Sequence, residues 1–332
     1  MPRVSIVLPV YNGAATICET VHSALYQSFS DFELIIIDDG SDDATPALLA
    51  AMSDPRITIR RYCNAGLATT RNRGLSLAKG DLIAFLDADD LWLPDKLKLQ
   101  VAALDSHPEA ALAFGWTDYI DEHGRFIHAG QRTAVGGDVL DQLLVNNFIE
   151  TGSNPLLRRA VFHQCGNFDE SLSAAEDWDL WLRVAARFPF VLVPQTVVLY
   201  RVHPRSMSSF DVIRQERCSR EVISRAFRRT GAAAKLMRRS HANLYRYLTY
   251  RALTPPLSRR AAWSALRFWA ASVQSDPALV FRSGYSAIAL AKIAAALILP
   301  SRLQRALLDI ARSFVRPVPV ADVETAPRGL DR

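Results

Sequence analysis

The sequence predicts an α/β fold: an open, mostly parallel sheet flanked by helices, followed by a helical region. Three observations carry this reading. Strand-like apolar runs alternate with helical stretches through the first 200 residues. Several of those runs, such as Leu34-Ile35-Ile36-Ile37, are apolar throughout, which suits strands covered on both faces. Beyond about residue 210 the strand pattern stops and basic residues crowd into helical periodicity. A βαβα order of this kind favours a sheet with helices on both sides.

Taken in order, strands are expected at 4–10, 33–38, 57–62, 81–86, 111–114 and 191–200, all rich in β-branched, leucine or aromatic residues. Helices are expected at about 15–27, 44–53, 66–79 and 94–106. In "AAEDWDLWLRVAAR", 174–187, Trp178, Trp181, Leu182 and Ala185 recur at i, i+3, i+4 and i+7. A helix with one apolar face opens there. The chain therefore divides into a first domain over 1–210, a basic helical region over 211–316, and a Pro-rich polar tail over 317–332 that is expected to fray.

Of 332 residues, 49% are hydrophobic, enough for a large core. The net charge of +5 permits an anionic partner without naming one. Cys18, Cys63, Cys165 and Cys218 lie far apart with no CxxC pair, which argues against a zinc site or a disulfide framework. A reducing, cytoplasmic location is the expectation. The N-terminus, "MPRVSIVLPVYNG", has no long apolar core and no small-residue cleavage site, so it reads as a strand that starts at once.

Two predicted strands end in acid. "FELIIIDDGSDDAT", 32–45, places Asp38 and Asp39 ahead of Gly40-Ser41. Capping of the next helix accounts for Ser41, Asp42 or Asp43, but not for two acids before the glycine. A carboxylate there can accept a hydrogen bond from a ligand. "IAFLDADDLW", 83–92, repeats the arrangement with Asp87, Asp89 and Asp90. Like charges this close raise one another's pKa unless a cation neutralises them. Mg²⁺ or Mn²⁺ does so well, because both prefer carboxylate and phosphate oxygens. In extended backbone Asp87 and Asp89 point the same way, and Ala88 between them leaves room for a ligand. Asp90 reads as a helix-start residue. In open α/β sheets ligands bind beyond the carboxyl ends of the strands, where these acids fall. Glu176 and Asp177 sit in or before a first helical turn. Helix-end stabilisation and general-base catalysis are both open on that pattern.

"VSIVLPVYNG", "SALYQSFSDFELIIIDDGSDDAT", "NAGLATTRNRGLSLAKGDLIAFLDADDLWLPDKL" and "GNFDESLSAAEDWDLWLRV" together resemble, in order and spacing, the family 2 glycosyltransferases, which have the GT-A fold. The resemblance covers about residues 1–210. It implies an inverting, metal-dependent transferase that moves a sugar from a nucleoside-diphosphate donor, first of all a UDP-sugar, to an acceptor hydroxyl. By that resemblance Pro9, Tyr11 and Asp39 hold the nucleotide base, and Arg71 lies near it. Asp87 faces ribose and metal, with Ala88 beside the nucleotide. Asp89 is the main metal ligand. Asp177 is the base, with Glu176 its orienting neighbour. "YRVHPRSMS", 200–208, resembles a family loop near the diphosphate, in which Arg201, His203, Ser206 and Ser208 contact phosphate, and His203 can also reach the metal. A surface arginine at 71 and a structural histidine at 203 are the plain alternatives.

Two other functions were open. A sugar-phosphate nucleotidyltransferase needs a Gly-rich basic phosphate loop after the first strand, and "PVYNGAAT" has one glycine and no cation. A non-catalytic scaffold would not need Asp87, Asp89 and Asp177 intact. From 205 to 267 the chain carries fifteen basic and three acidic residues, a local balance of +12. That region, 211–300, could contact acceptor, form a dimer or lie on an anionic membrane from the cytoplasmic face. "YSAIALAKIAAALILP", 285–300, is too short to span one. No nucleic-acid-reading motif accompanies the arginines. A glycan or lipid-linked glycan is the expected acceptor.

Overall fold

In the computed structural model, which describes residues 1–203, 211–254, 258–280 and 285–298, the first strand, β1 (Val4–Val10), is buried along its whole length. Val4, Ile6, Leu8 and Val10 pack on one face with α1 (Ile17–Leu25). Val7 packs on the other, in a core that Ala68 of α3 (Leu67–Leu77) also enters. The apolar run is continuous because both faces are covered.

β1 pairs in parallel with β2 (Phe32–Asp38) and β4 (Leu82–Phe85), and β2 pairs in parallel with β3 (Ile57–Arg61). The register sets Val10 opposite Asp38 and Val7 opposite Phe85. The acid-bearing strand ends therefore emerge at one edge of the sheet. Beyond β4 the sheet becomes mixed. β8 (Leu156–Arg158) runs antiparallel to β4 and to β6 (Leu112–Ile120), while β6 is parallel to β9 (Phe190–Arg201). The pair β5 (Leu91–Trp92) and the hairpin strand β7 (Phe126–Ala129) join antiparallel to β9 and β6. The open sheet flanked by helices is as expected. Its parallel character is concentrated in the β3–β2–β1–β4 half. The strands that pattern reading misses are β5, β7 and β8, each of two to four residues, too short to display a period.

Four further helices follow the expected positions or fill gaps: α2 (Thr45–Ala50), α4 (Lys96–Ser106), α5 (Leu140–Val145) and α6 (Ala160–Cys165). α7 (Glu176–Ala185) buries Trp178, Trp181, Leu182 and Ala185, the stripe read from the sequence. After β9 the described chain is helical: α8 (Val212–Thr230), α9 (Ala234–Ala252), α10 (Arg259–Ser275) and α11 (Tyr285–Ile298). Asp211 opens α8 by accepting from the backbone N–H of Ile213 and Arg214. Val222, Phe227, Leu248, Phe268 and Ile293 belong to the same core as Trp181. The helices thus continue the core of the first half. No helix of the described residues is long and apolar enough to cross a membrane. Within α11, Ala289 and Ile293 face the core while Ile288 and Ile298 are exposed. The expected tail, 317–332, lies outside the described residues.

α3 reaches β1 closely because Gly74 has no side chain. A Cβ there would stand 2.3 Å from Val7 Cγ1 and 3.3 Å from Ile37 Cγ1. Helix propensity favours alanine over glycine by about 1 kcal/mol, but overpacking costs about 1–3 kcal/mol. Packing should win. Gly74→Ala is expected to lower stability in chemical denaturation, and a stabilised variant would show that α3 can shift freely.

Candidate active site

Arg71 is the centre of the site. It projects from α3 and is 2% exposed. Its Nη2 donates to Asp87 Oδ1 at 2.6 Å and its Nη1 to Glu176 Oε1 at 2.8 Å. The guanidinium also lies over the Phe168 ring, 5.3 Å from its centroid. Three motifs distant in sequence thus meet on one cation. Gly152 permits this: a Cβ there would sit 2.5 Å from Arg71 Nη2 and 3.5 Å from Asp87 Oδ2. The adjacent carboxylates push the Arg71 pKa upward against the opposing effect of burial. A surface role for Arg71 is excluded by its burial.

The Asp87–Asp90 turn is held from all sides. Ser153 Oγ accepts from Asp87 N at 3.0 Å. Ala88 O accepts from the hydroxyls of Thr16 and Thr20 at 2.7 and 3.0 Å. Asp90 is fully buried, accepting from Ser153 Oγ at 2.6 Å, Thr151 Oγ1 at 3.1 Å and Arg201 N at 3.1 Å. Asp90 is therefore not a helix-start residue: α4 begins at Lys96. Burial, with Asp89 and Asp87 nearby, pushes its pKa well above the carboxylate range. Arg201 is 2% exposed. Its Nε donates to Asp89 O at 2.8 Å, its Nη2 to Glu19 Oε2 at 2.7 Å, and its Nη1 to the carbonyls of Asp121 and Glu122. Its guanidinium is committed to holding this turn.

At the other end, Asp39 is 3% exposed. Its carboxylate accepts from Ala65 N, Gly66 N and Arg73 Nη1 at 2.9–3.2 Å. Arg73 was missed by sequence reasoning. It also lies over the Tyr62 ring at 4.7 Å. Arg71 and Arg73 are two residues apart on a helix, so they face nearly opposite ways. The small neighbours Ala68 and Gly74, three positions either side of Arg71, were the signal that Arg71 faces inward. Pro9 is buried within β1, opposite Ile37, and Tyr11 just beyond it is 53% exposed. Of the turn residues, Asp43 accepts from Thr45 N at the start of α2, whereas Ser41 Oγ accepts from Asn12 N across the cleft.

Glu176 and Asp177 occupy the first turn of α7, entered through Ala175 in left-handed conformation, φ +59°. Such a backbone costs about 1–2 kcal/mol for a residue with a Cβ. Asp177 accepts from Trp178 N at 2.6 Å. Burial and the Glu176 charge, opposed by Arg71, push its carboxyl up to about 7. A base titrating there is matched to neutral pH.

Asp89 Oδ2 lies 3.0 Å from His203 Nε2, and both side chains are partly exposed. Among the described residues no three His, Cys, Asp or Glu side chains form a metal-holding group. Mg²⁺ and Mn²⁺ commonly take only one or two protein ligands and fill the rest with phosphate and water. Neighbouring ligands of an octahedral ion at about 2.1 Å are about 3 Å apart, so the Asp89–His203 pair fits. Ser206 and Ser208 lie outside the described residues.

Comparison with known proteins follows this geometry. The sequence profile described as "Glycosyltransferase like family 2" matches residues 5–262, past the end of β9 and into the helices. The succinoglycan biosynthesis protein ExoO of Rhizobium meliloti is 30% identical over 350 residues, covering 100% of this chain and 96% of that protein. An uncharacterised glycosyltransferase of Rickettsia bellii is 30% identical over 197 residues. The match takes in 55% of this chain but only 27% of that relative's length. Among solved structures, the mannosyltransferase PcManGT of Pyrobaculum calidifontis, in complex with GDP-Man and Mn²⁺, superposes with TM-score 0.57 at 21% identity, covering 94% of this chain and 86% of that one. S. aureus TarS 1–349 in complex with UDP-GlcNAc gives TM-score 0.55 at 16% identity, covering 94% and 87%. These structures share the mixed sheet flanked by helices. The chain is a member of glycosyltransferase family 2.

Proposed function

We propose that this protein transfers a sugar from a nucleoside-diphosphate donor to an acceptor hydroxyl in polysaccharide synthesis, with inversion at the anomeric carbon. The observation that carries the reading is the convergence of the Asp87 turn and the Glu176–Asp177 helix on Arg71. The full-length relative in succinoglycan biosynthesis supports the pathway class, and the UDP-GlcNAc and GDP-Man complexes of the structural neighbours support the donor class. A UDP-sugar is the first donor to test.

Asp177 takes the proton of the acceptor hydroxyl as its oxygen bonds to the anomeric carbon. The bond from that carbon to the diphosphate oxygen breaks, and the electron pair leaves with the nucleotide. One displacement inverts the configuration and requires no protein nucleophile. Asp89 and His203 would hold a divalent cation, which neutralises charge on the leaving diphosphate. Asp87 faces the ribose and Ala88 the nucleotide. Pro9, Tyr11 and Asp39 shape the base end, with Arg73 steadying Asp39. Arg71 acts as a positioning residue for Asp87 and Glu176. Arg201 supports the metal turn through Asp89 O instead of reaching phosphate.

The helical half adds a cytoplasmic-face membrane contact to this reading. Arg259, Arg260, Trp263 and Arg267 are exposed on α10, and Tyr250 is exposed on α9. Basic side chains around aromatic rings suit an anionic lipid surface. Sedimentation with phosphatidylglycerol vesicles but not phosphatidylcholine vesicles is expected; equal recovery with both would remove lipid charge from the account.

Asp177→Asn should cut turnover by about 10²–10⁴ while leaving Mn²⁺-dependent UDP binding intact. Asp89→Ala should abolish the metal dependence of nucleotide binding, and turnover should fall with it. Because Asp177 acts deprotonated and titrates at about 7, its rate should fall about tenfold per pH unit below that value and level off above it. A pH–rate profile that stays flat down to about pH 5 would assign the base elsewhere.

A further inference from the structure

Beside the catalytic cluster lies a second group of side chains that the reaction as described does not use. Tyr119, near the carboxyl end of β6, stacks on His128 of β7 with ring centroids 4.4 Å apart. Its other side meets Tyr200 of β9 edge-on at 5.3 Å. The Tyr119 hydroxyl donates to Glu150 Oε1 at 3.2 Å. The remaining hydrogen bonds of that carboxylate are from Gln131 N, also at 3.2 Å to each oxygen. The two N–H···O contacts lie at the long limit of the ordinary range and the O–H···O contact lies beyond it. Arg132, the nearby cation, is engaged with Asp118 instead.

Glu150 is costly to hold here. Its φ of +72° lies in the left-handed region, and strain of this kind collects at functional sites. Its carboxylate approaches Gly130 so closely that a Cβ there would stand 2.5 Å from Oε2. Burial pushes its carboxyl up to about 7, and burial together with the Glu150 charge keeps the Tyr119 hydroxyl protonated.

Position adds a second argument. Glu150 precedes Thr151, Gly152 and Ser153, which bind Asp90, face Arg71 and hold Asp87. Tyr200 precedes Arg201, which holds the Asp89 carbonyl. Glu150 and Tyr200 are thus each one to three residues in sequence from residues that bind the Asp87–Asp90 turn directly. Aromatic faces receive the C–H face of a pyranose, and a loosely held carboxylate receives its hydroxyls. We infer that Tyr119, His128, Glu150 and Tyr200 form the subsite that binds the acceptor saccharide, with Glu150 fixing its hydroxyls.

This inference rests on the transferase reading and deepens it, so its test must separate the two. Saccharide binding is measured by saturation-transfer NMR and titration, using methyl glucoside, methyl galactoside, methyl mannoside, lactose and cellobiose at up to about 10 mM. Mn²⁺–UDP and Mn²⁺–GDP binding are measured in parallel. At least one saccharide should bind the wild type. Glu150→Gln should weaken it about tenfold or more, and His128→Ala, at an exposed position, several-fold. Nucleotide affinity should be unchanged in both variants. The subsite is overturned if no saccharide binds the wild type, if both variants bind as the wild type does, or if Glu150→Gln also loses nucleotide binding, which would make Glu150 a strut. A wild type that binds saccharide but neither nucleotide would sink the transferase reading and leave the sugar site standing.

Discussion

The site depends on one buried cation. Buried itself, Arg71 pairs with Asp87 from the turn after β4 and with Glu176 from the first turn of α7. Removing one partner from a buried ion pair typically costs about 3–5 kcal/mol, because the other charge is left uncompensated. The family chemistry needs several carboxylates close together, and charge repulsion works against that. Arg71 sets one cation between two of them, hydrogen-bonded to each. Asp90 solves the same problem in the other way, with its proton favoured by burial and its oxygens occupied by Ser153, Thr151 and the Arg201 backbone. The turn therefore presents fewer negative charges than its sequence suggests.

The sheet makes this arrangement rigid. Parallel register aligns the ends of β1, β2 and β4, and the antiparallel β8 carries Ser153 and Asn154 at its entrance. Asn154 Nδ2 donates to Gly115 O and its Oδ1 accepts from Gly115 N, which ties that entrance to β6. The core running from Trp181 into the last four helices braces α7 from behind. Glu176 and Asp177 thus stand on a helix packed on both the sheet and the helical half, while Tyr119, His128, Tyr200 and Glu150 lie on strands and a loop.

Much of this was legible in the sequence. Fully covered parallel strands announce themselves as apolar runs, and the strand-end acids were placed correctly at the ends of β2 and β4. The α7 stripe puts Glu176 and Asp177 in or before a first helical turn, and they occupy that turn. What was not legible depends on contacts between distant segments. The inward turn of Arg71 and the outward turn of Arg73 differ only in which helix face meets β1. Asp90 looked like a cap because its partners, Thr151 and Ser153, come sixty residues later. Arg201 looked like a phosphate ligand because nothing local shows that it reaches Glu19 and the Asp89 carbonyl. β5, β7 and β8 are too short for a period, and β7 is exposed at all four positions.

The most direct measurement is a double-mutant cycle on folding stability with Asp87→Asn, Glu176→Gln and both together. Each single change leaves Arg71 one hydrogen-bonded carboxylate; the double change leaves it none. If Arg71 joins the two motifs, the double variant should lose about 1–3 kcal/mol more than the sum of the single losses. Losses that add to within about 0.5 kcal/mol would contradict the account and make the Asp87 turn and α7 independent.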